Sequence, residues 1–100
     1  MTFQPLFEQD AEIDIFSIAD WYRDQRNGLE DDFLHSLKAS LDSLVKNPFQ
    51  YQVKFRGVRA VLLQKIPYQV FYKISDNSII VLGVIHTSRN PKLIKRRGNK

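Results

Sequence analysis

One hundred residues, 43% of them hydrophobic, with no cysteine and a formal net charge of +4, describe a single domain and exclude disulfides and thiolate metal sites. A chain of this size buries roughly 60–65% of its unfolded surface, which leaves no room for a second core. No basic-then-apolar leader opens the sequence and no apolar run approaches the roughly 20 residues that cross a bilayer, so a soluble cytoplasmic protein is expected.

Taken in chain order, Thr2–Phe7 reads as one short strand that Pro5 places at an edge or ends early. From about Asp10 to Gln25, Ala11, Ile15, Ile18, Ala19 and Tyr22 recur at helical spacing, with Asp10 as the expected N-cap. Asn27-Gly28 stops that helix, Gly28 being suited to the positive φ favoured just past a C-terminus. From about Glu30 to Lys46, Phe33, Leu34, Leu37, Leu41, Leu44 and Val45 form a second stripe. Its start carries Glu30, Asp31 and Asp32, where negative charge suits the helix dipole, and Asn47-Pro48 closes it.

The two helices are separated by only a few residues around Gly28, which predicts an antiparallel hairpin. Val58–Lys65, Tyr68–Ile74 and Ser78–His86 then form three strand-like runs, parted by Ile66-Pro67 and by Ser75-Asp76-Asn77. Gly83 in the last run marks a bulge or the close approach of a helix. The sum is an α+β domain over residues 1–91: an N-terminal strand and a helical hairpin packed on a three- to four-stranded antiparallel sheet, followed by a basic tail over residues 92–100.

Charge divides the chain. Residues 1–50 carry four Lys or Arg against ten Asp or Glu, whereas residues 51–100 carry eleven against one. Helices over one sheet face would leave the other face and the tail basic, a surface that attracts nucleic acid or an acidic peptide. A frayed, solvated tail is the bland alternative for its last nine residues. His35 has no partner at ligand spacing, so no metal is expected, and no glycine-rich phosphate loop or serine nucleophile motif calls for a cofactor.

Four stretches carry a family resemblance: Ile18-Ala19-Asp20-Trp21-Tyr22-Arg23-Asp24-Gln25 followed by Gly28-Leu29; Phe33-Leu34 through Leu44 to Asn47-Pro48 and Tyr51; Val58-Arg59 with Ile66-Pro67-Tyr68 and Val70-Phe71-Tyr72; and Val81-Leu82 through His86, Arg89, Asn90 and Pro91. In this order and spacing the chain resembles the RelE/ParE superfamily of bacterial toxins. The resemblance implies the toxin of a type II toxin–antitoxin system, of the kind found in plasmid stabilisation, neutralised by a cognate antitoxin, with a heterotetramer among the assemblies it allows.

ParE-like members inhibit DNA gyrase, and RelE-like members cleave mRNA on the ribosome. RelE-like chains carry an arginine in a Tyr-Arg-Leu-Val-Tyr pattern, and here Gln69 stands at that place in Tyr68-Gln69-Val70-Phe71-Tyr72. A neutral amide where phosphate charge must be met points to the ParE-like branch, a binder rather than an enzyme. The alternatives are a metal-independent endoribonuclease using Arg59, Tyr72, His86 and Arg89, and an inactive relative serving as an interaction module.

For the ParE-like reading, Arg59, Arg89, Lys92, Lys95, Arg96 and Arg97 are the candidates for target contact. Arg59 has the alternative of pairing with an acid on the first helix, and His86 that of a hydrogen-bonded end-of-strand residue. Ile18, Leu29, Phe33 and Leu37 are the candidates for an antitoxin groove along the hairpin, and are equally suited to the core. Trp21 and Tyr22 are expected to pack the first helix down.

Overall fold

The computed structural model describes residues 3–98; the first residue of the expected strand and the last two of the expected tail lie outside the described residues. The chain is α+β, as its pattern predicts. It runs β1 (Gln4–Phe7), α1 (Gln9–Gln25), α2 (Leu29–Lys46), a 3-10 turn at Pro48–Gln50, β2 (Val53–Phe55), β3 (Val58–Leu62), β4 (Tyr68–Ser75), β5 (Ser78–His86) and α3 (Lys92–Gly98).

The strands form one sheet in the order β1-β5-β4-β3-β2. It has five strands and is mixed, because β1 lies parallel to β5, from Gln4 opposite Ser78 to Phe7 opposite Val81, while the other pairs are antiparallel. The extra strand, β2, is three residues long with an exposed lysine at its centre, too short for alternation to betray.

The hairpin covers one face. Ala11, Ile18 and Ala19 of α1 and Phe33, Leu37 and Leu44 of α2 meet Val61, Val70, Tyr72 and Val81 of the sheet in the main core. Glu8, not Asp10, occupies the N-cap of α1, without a side-chain cap bond. Gly28 does adopt the left-handed region, at φ 94°, but as the N-cap of α2; Arg26 ends α1 in extended backbone. The hairpin is clasped by Arg23, whose Nε donates to Glu30 at 2.6 Å. That hydrogen bond is also the main reason the Glu30 carboxyl lies below its ordinary range.

The opposite face is apolar too, with Val58, Ala60, Phe71, Leu82 and Ile85 in a second cluster completed by fully buried Ile94 of α3. The expected tail is therefore, as far as Gly98, a helix docked on the sheet. Arg97 locks it there. Its Nη1 donates to Asp14 Oδ2 at 2.7 Å and to the Leu82 carbonyl at 3.0 Å, and its Nε lies 3.5 Å from Asp10. The same Asp14 Oδ2 accepts the Val84 N–H at 3.0 Å, capping the edge of β5 beyond the end of β1.

Gly83 makes the lock possible. The β4–β5 register shifts at Phe71/Tyr72, opposite Gly83, and a Cβ on Gly83 would sit 2.6 Å from Ile94 Cδ1 and closer still to the Arg97 guanidinium. Both sequence expectations for this glycine, bulge and close approach, are met.

Truncating Ile94→Ala is expected to lower the unfolding free energy by about 2 kcal/mol, the low end for a large-to-small change because a terminal helix can resettle. Urea denaturation measures it, and an unchanged midpoint would mean that α3 does not dock in solution. Deletion of residues 92–100 should cost at least as much, since it bares the second cluster.

Candidate functional site

The residues nominated from sequence fall into two groups at different places on the sheet. The first surrounds Arg59 on β3 and Tyr72 on β4, which are cross-strand partners. Tyr72 is wholly buried in the helix-side core, and its hydroxyl donates to the Pro48 carbonyl at 2.7 Å. Burial pushes this phenol up to about 12. A buried phenol with its proton committed to a backbone carbonyl is no acid or base for a bound substrate.

Arg59 donates to the Tyr51 carbonyl at 2.5 Å and the Phe49 carbonyl at 3.3 Å, and its guanidinium lies 5.4 Å from the Phe49 ring centroid. Together Arg59 and Tyr72 hold the 3-10 turn against the sheet. The pairing proposed from sequence, with an acid on the first helix, is not what the structure shows: Arg59 serves backbone carbonyls, which leaves it poorly placed for a target.

The second group lies where β4 begins and β5 ends. Tyr68 is opposite His86, four residues along β4 from Tyr72 and hence about 13 Å away at roughly 3.3 Å per residue. Here Asp14, Ser17 and Trp21 of α1, Tyr68 of β4, His86 at the end of β5 and Arg89 beyond it line a cleft of about 260 Å³. Arg89 is exposed at its rim, and the Tyr68 ring meets the His86 ring edge-on at 5.1 Å between centroids. Gln69 faces away from Tyr68 and Val70 by strand alternation, toward the α3 side of the sheet, opposite Ile85.

Three of the four residues nominated for an antitoxin groove are core: Phe33 is fully buried and Ile18 and Leu37 nearly so. Their helical periodicity marked the inward face, as core residues do. Leu29 is half-buried and lines a wider groove of about 790 Å³ between α2 and the β3–β4 connection. Open apolar side chains on α1 are Ile13, Phe16 and Trp21, 54%, 70% and 54% exposed, with Trp21 at the cleft; Leu62 and Phe49 are open elsewhere, at 62% and 57%.

Of the two adjacent aromatics on α1, Tyr22 packs inward on Phe33 and Tyr68 as expected, and Trp21 does not. The signal available in the sequence was that α1 carries apolar residues all round, more than a one-sided surface helix needs. Of the basic candidates, Arg89, Lys92, Lys95 and Arg96 are exposed, with Lys95 5.4 Å from the Phe55 ring centroid, whereas Arg97 is only 12% exposed and spent on Asp14. Among the described residues no group of three or more His, Cys, Asp or Glu is placed to hold a metal, and no helix is long and apolar enough to cross a membrane.

Residues 6–91 match the family described as "ParE toxin of type II toxin-antitoxin system, parDE". The chain belongs to the ParE toxin family. As a ParE family member it is a toxin-type chain of the ParE/RelE superfamily, and its fold agrees. It is similar to a chain of the chromosomal ParDE system of Pseudomonas aeruginosa, with a TM-score of 0.74 and 16% identity over 84% of this chain and 95% of that one. A free-state mutant of the Escherichia coli toxin RelE aligns with a TM-score of 0.67 and 15% identity over 97% and 94%.

The RelBE2 toxin–antitoxin complex of Mycobacterium tuberculosis gives a TM-score of 0.58 and 14% identity over 86% and 99%. No sequence among curated proteins matches. These structural likenesses establish the fold that ParE and RelE share, and the family match places the chain on the ParE side.

For this ParE family member, Tyr72→Phe is expected to cost about 1–2 kcal/mol by orphaning the Pro48 carbonyl. Because the folded state keeps the Tyr72 proton up to about 12 while the unfolded chain releases it near 10, stability is full below the lower value and falls as pH rises through the higher. The variant's stability should lose part of that alkaline decline, as followed by denaturant titrations at stepped pH.

Proposed function

We propose that this chain is the toxin of a type II pair that acts by binding, on DNA gyrase in the ParE manner, and that an antitoxin silences it in the cytoplasm. One observation carries the choice of binding over RNA cleavage: the four groups nominated for catalysis do not converge. Arg59 and Tyr72 are committed to backbone carbonyls, and Tyr72 lies about 13 Å along β4 from Tyr68, the cross-strand partner of His86. Cleavage of RNA without a metal needs a base, an acid and phosphate-stabilising cations around one phosphate. Gln69 supplies no cation toward one.

The target surface on this reading is Arg89 with the exposed cations of α3, Lys92, Lys95 and Arg96. Arg59 and Arg97 leave the set because the fold uses them. The antitoxin surface moves to the outer side of α1, where Ile13 and Phe16 form an apolar stripe among Glu12, Asp20 and Asp24, flanked by Trp21 on the cleft side. An amphipathic antitoxin segment with basic flanks fits that stripe in both hydrophobicity and charge. Likeness to a chain of a ParDE system and to the RelBE2 toxin–antitoxin complex supports an antitoxin as the partner.

Pulse labelling of DNA and protein synthesis within minutes of inducing the chain without antitoxin tests the target. Early arrest of DNA synthesis is expected; early arrest of translation would overturn the gyrase reading in favour of RNA cleavage. In that event Gln69→Arg should increase cleavage. Arg89→Ala is expected to relieve growth arrest with the fold unchanged by circular dichroism. Phe16→Asp should weaken antitoxin binding by at least about tenfold in calorimetry and leave growth arrest in place.

A further inference from the structure

The turn that carries Arg89 is built on a histidine ring. Arg89 N–H donates to the His86 carbonyl at 3.0 Å, and Thr87 N–H to the Pro67 carbonyl at 2.9 Å. Inside this turn the Ser88 backbone N–H reaches His86 Nδ1 at 3.0 Å, and the Ser88 hydroxyl reaches the same nitrogen at 2.8 Å. A backbone N–H has only a proton to offer, so Nδ1 must present its lone pair and the neutral ring carries its proton on Nε2. The ring is held by its edge-on contact with Tyr68.

We propose that His86 is a positioning residue whose bare Nδ1 sets the His86–Arg89 turn and so aims Arg89, and that protonation of the ring releases that turn. A proton on Nδ1 expels the Ser88 N–H. It also reverses the Ser88 hydroxyl, which must then accept, so the two contacts that shape the turn cannot both survive. Among the described residues, the charged and titratable groups that line the cleft with the ring are Tyr68 from β4, which touches it, Asp14 from α1 and Arg89 from the turn itself. Asp14 is the one acid among the residues lining the cleft, and Arg97 of α3 already neutralises it. The pocket therefore offers an imidazolium no unengaged carboxylate in exchange for the lost bonds. The link from turn to toxicity rests on the proposed role of Arg89; the turn geometry does not.

Nuclear magnetic resonance on the full chain tests this directly. At about pH 7.5 the His86 ring should show the Nε2–H tautomer, and the Ser88 amide should exchange about five- to tenfold more slowly than in a chain lacking the bond. On acidification that protection should vanish in step with the ring's own change of charge. His86→Asn puts a carbonyl oxygen where Nδ1 stands and should keep the Ser88 protection before and after acidification. His86→Gln places its polar end one bond further out and should lack it throughout.

A ring protonated on Nδ1 at the higher pH would overturn the proposal, as would Ser88 protection that ignores the ring's titration or equal protection in the Gln variant. Growth arrest then reads the functional arm. If His86→Gln matches wild type in toxicity although its Ser88 amide is unprotected, the turn does not act through Arg89. A wild-type chain that arrests nothing would instead remove the toxin reading and leave the turn to be judged by its spectra.

Discussion

The seven residues from Ile79 to Ile85 contain no polar side chain, and a strand of that kind has to be covered on both faces. The rest of the molecule answers that demand. The helical hairpin satisfies one face. The other requires a second lid, and α3 supplies it, so a segment rich in lysine and arginine is drawn onto the sheet through Ile94. The lid in turn fixes the fate of its charges: Arg97 turns inward to Asp14, while Lys92 and Arg96 stay in solvent.

Asp14 is where the layers are tied together. It belongs to α1, caps an edge N–H of β5 and neutralises a guanidinium of α3, so one carboxylate joins elements on both sides of the sheet. It is half-buried, and the desolvation of such a pair offsets much of its attraction, so its bonds fix where the layers meet without being a large net source of stability. Removing Arg97 would leave the Asp14 carboxylate without its counterpart, which is the costlier event, whereas Arg97 without Asp14 would still have Asp10.

The long amphipathic elements could be read from the sequence because their periods are strong. The bounds of β5 and the C-terminal end of α2 match the pattern to the residue, and Gly83 announced the bulge. What periodicity could not supply was contact between distant parts of the chain. Arg97 and Asp14 are 83 residues apart, and nothing local to either marks them as a pair. Arg59 and Tyr72 had the residue types of a catalytic site, but a hydroxyl or guanidinium serves a backbone carbonyl as readily as a substrate. The open face of α1 was missed for the opposite reason: Trp21 beside Tyr22 looks like core until the helix phase assigns one ring inward and the other out.

The parallel pairing of β1 with β5 has a consequence in time. Gln4 emerges from the ribosome well before its partner Ser78, and the α3 lock closes only when Arg97 has been added. At roughly 5–20 residues per second, the N-terminal strand and the apolar hairpin spend several seconds with no sheet to pack on. A nascent chain of this topology cannot fold progressively from its first residues. Its native state, and any activity that depends on it, arises only once β5 has joined β1 and Arg97 has reached Asp14.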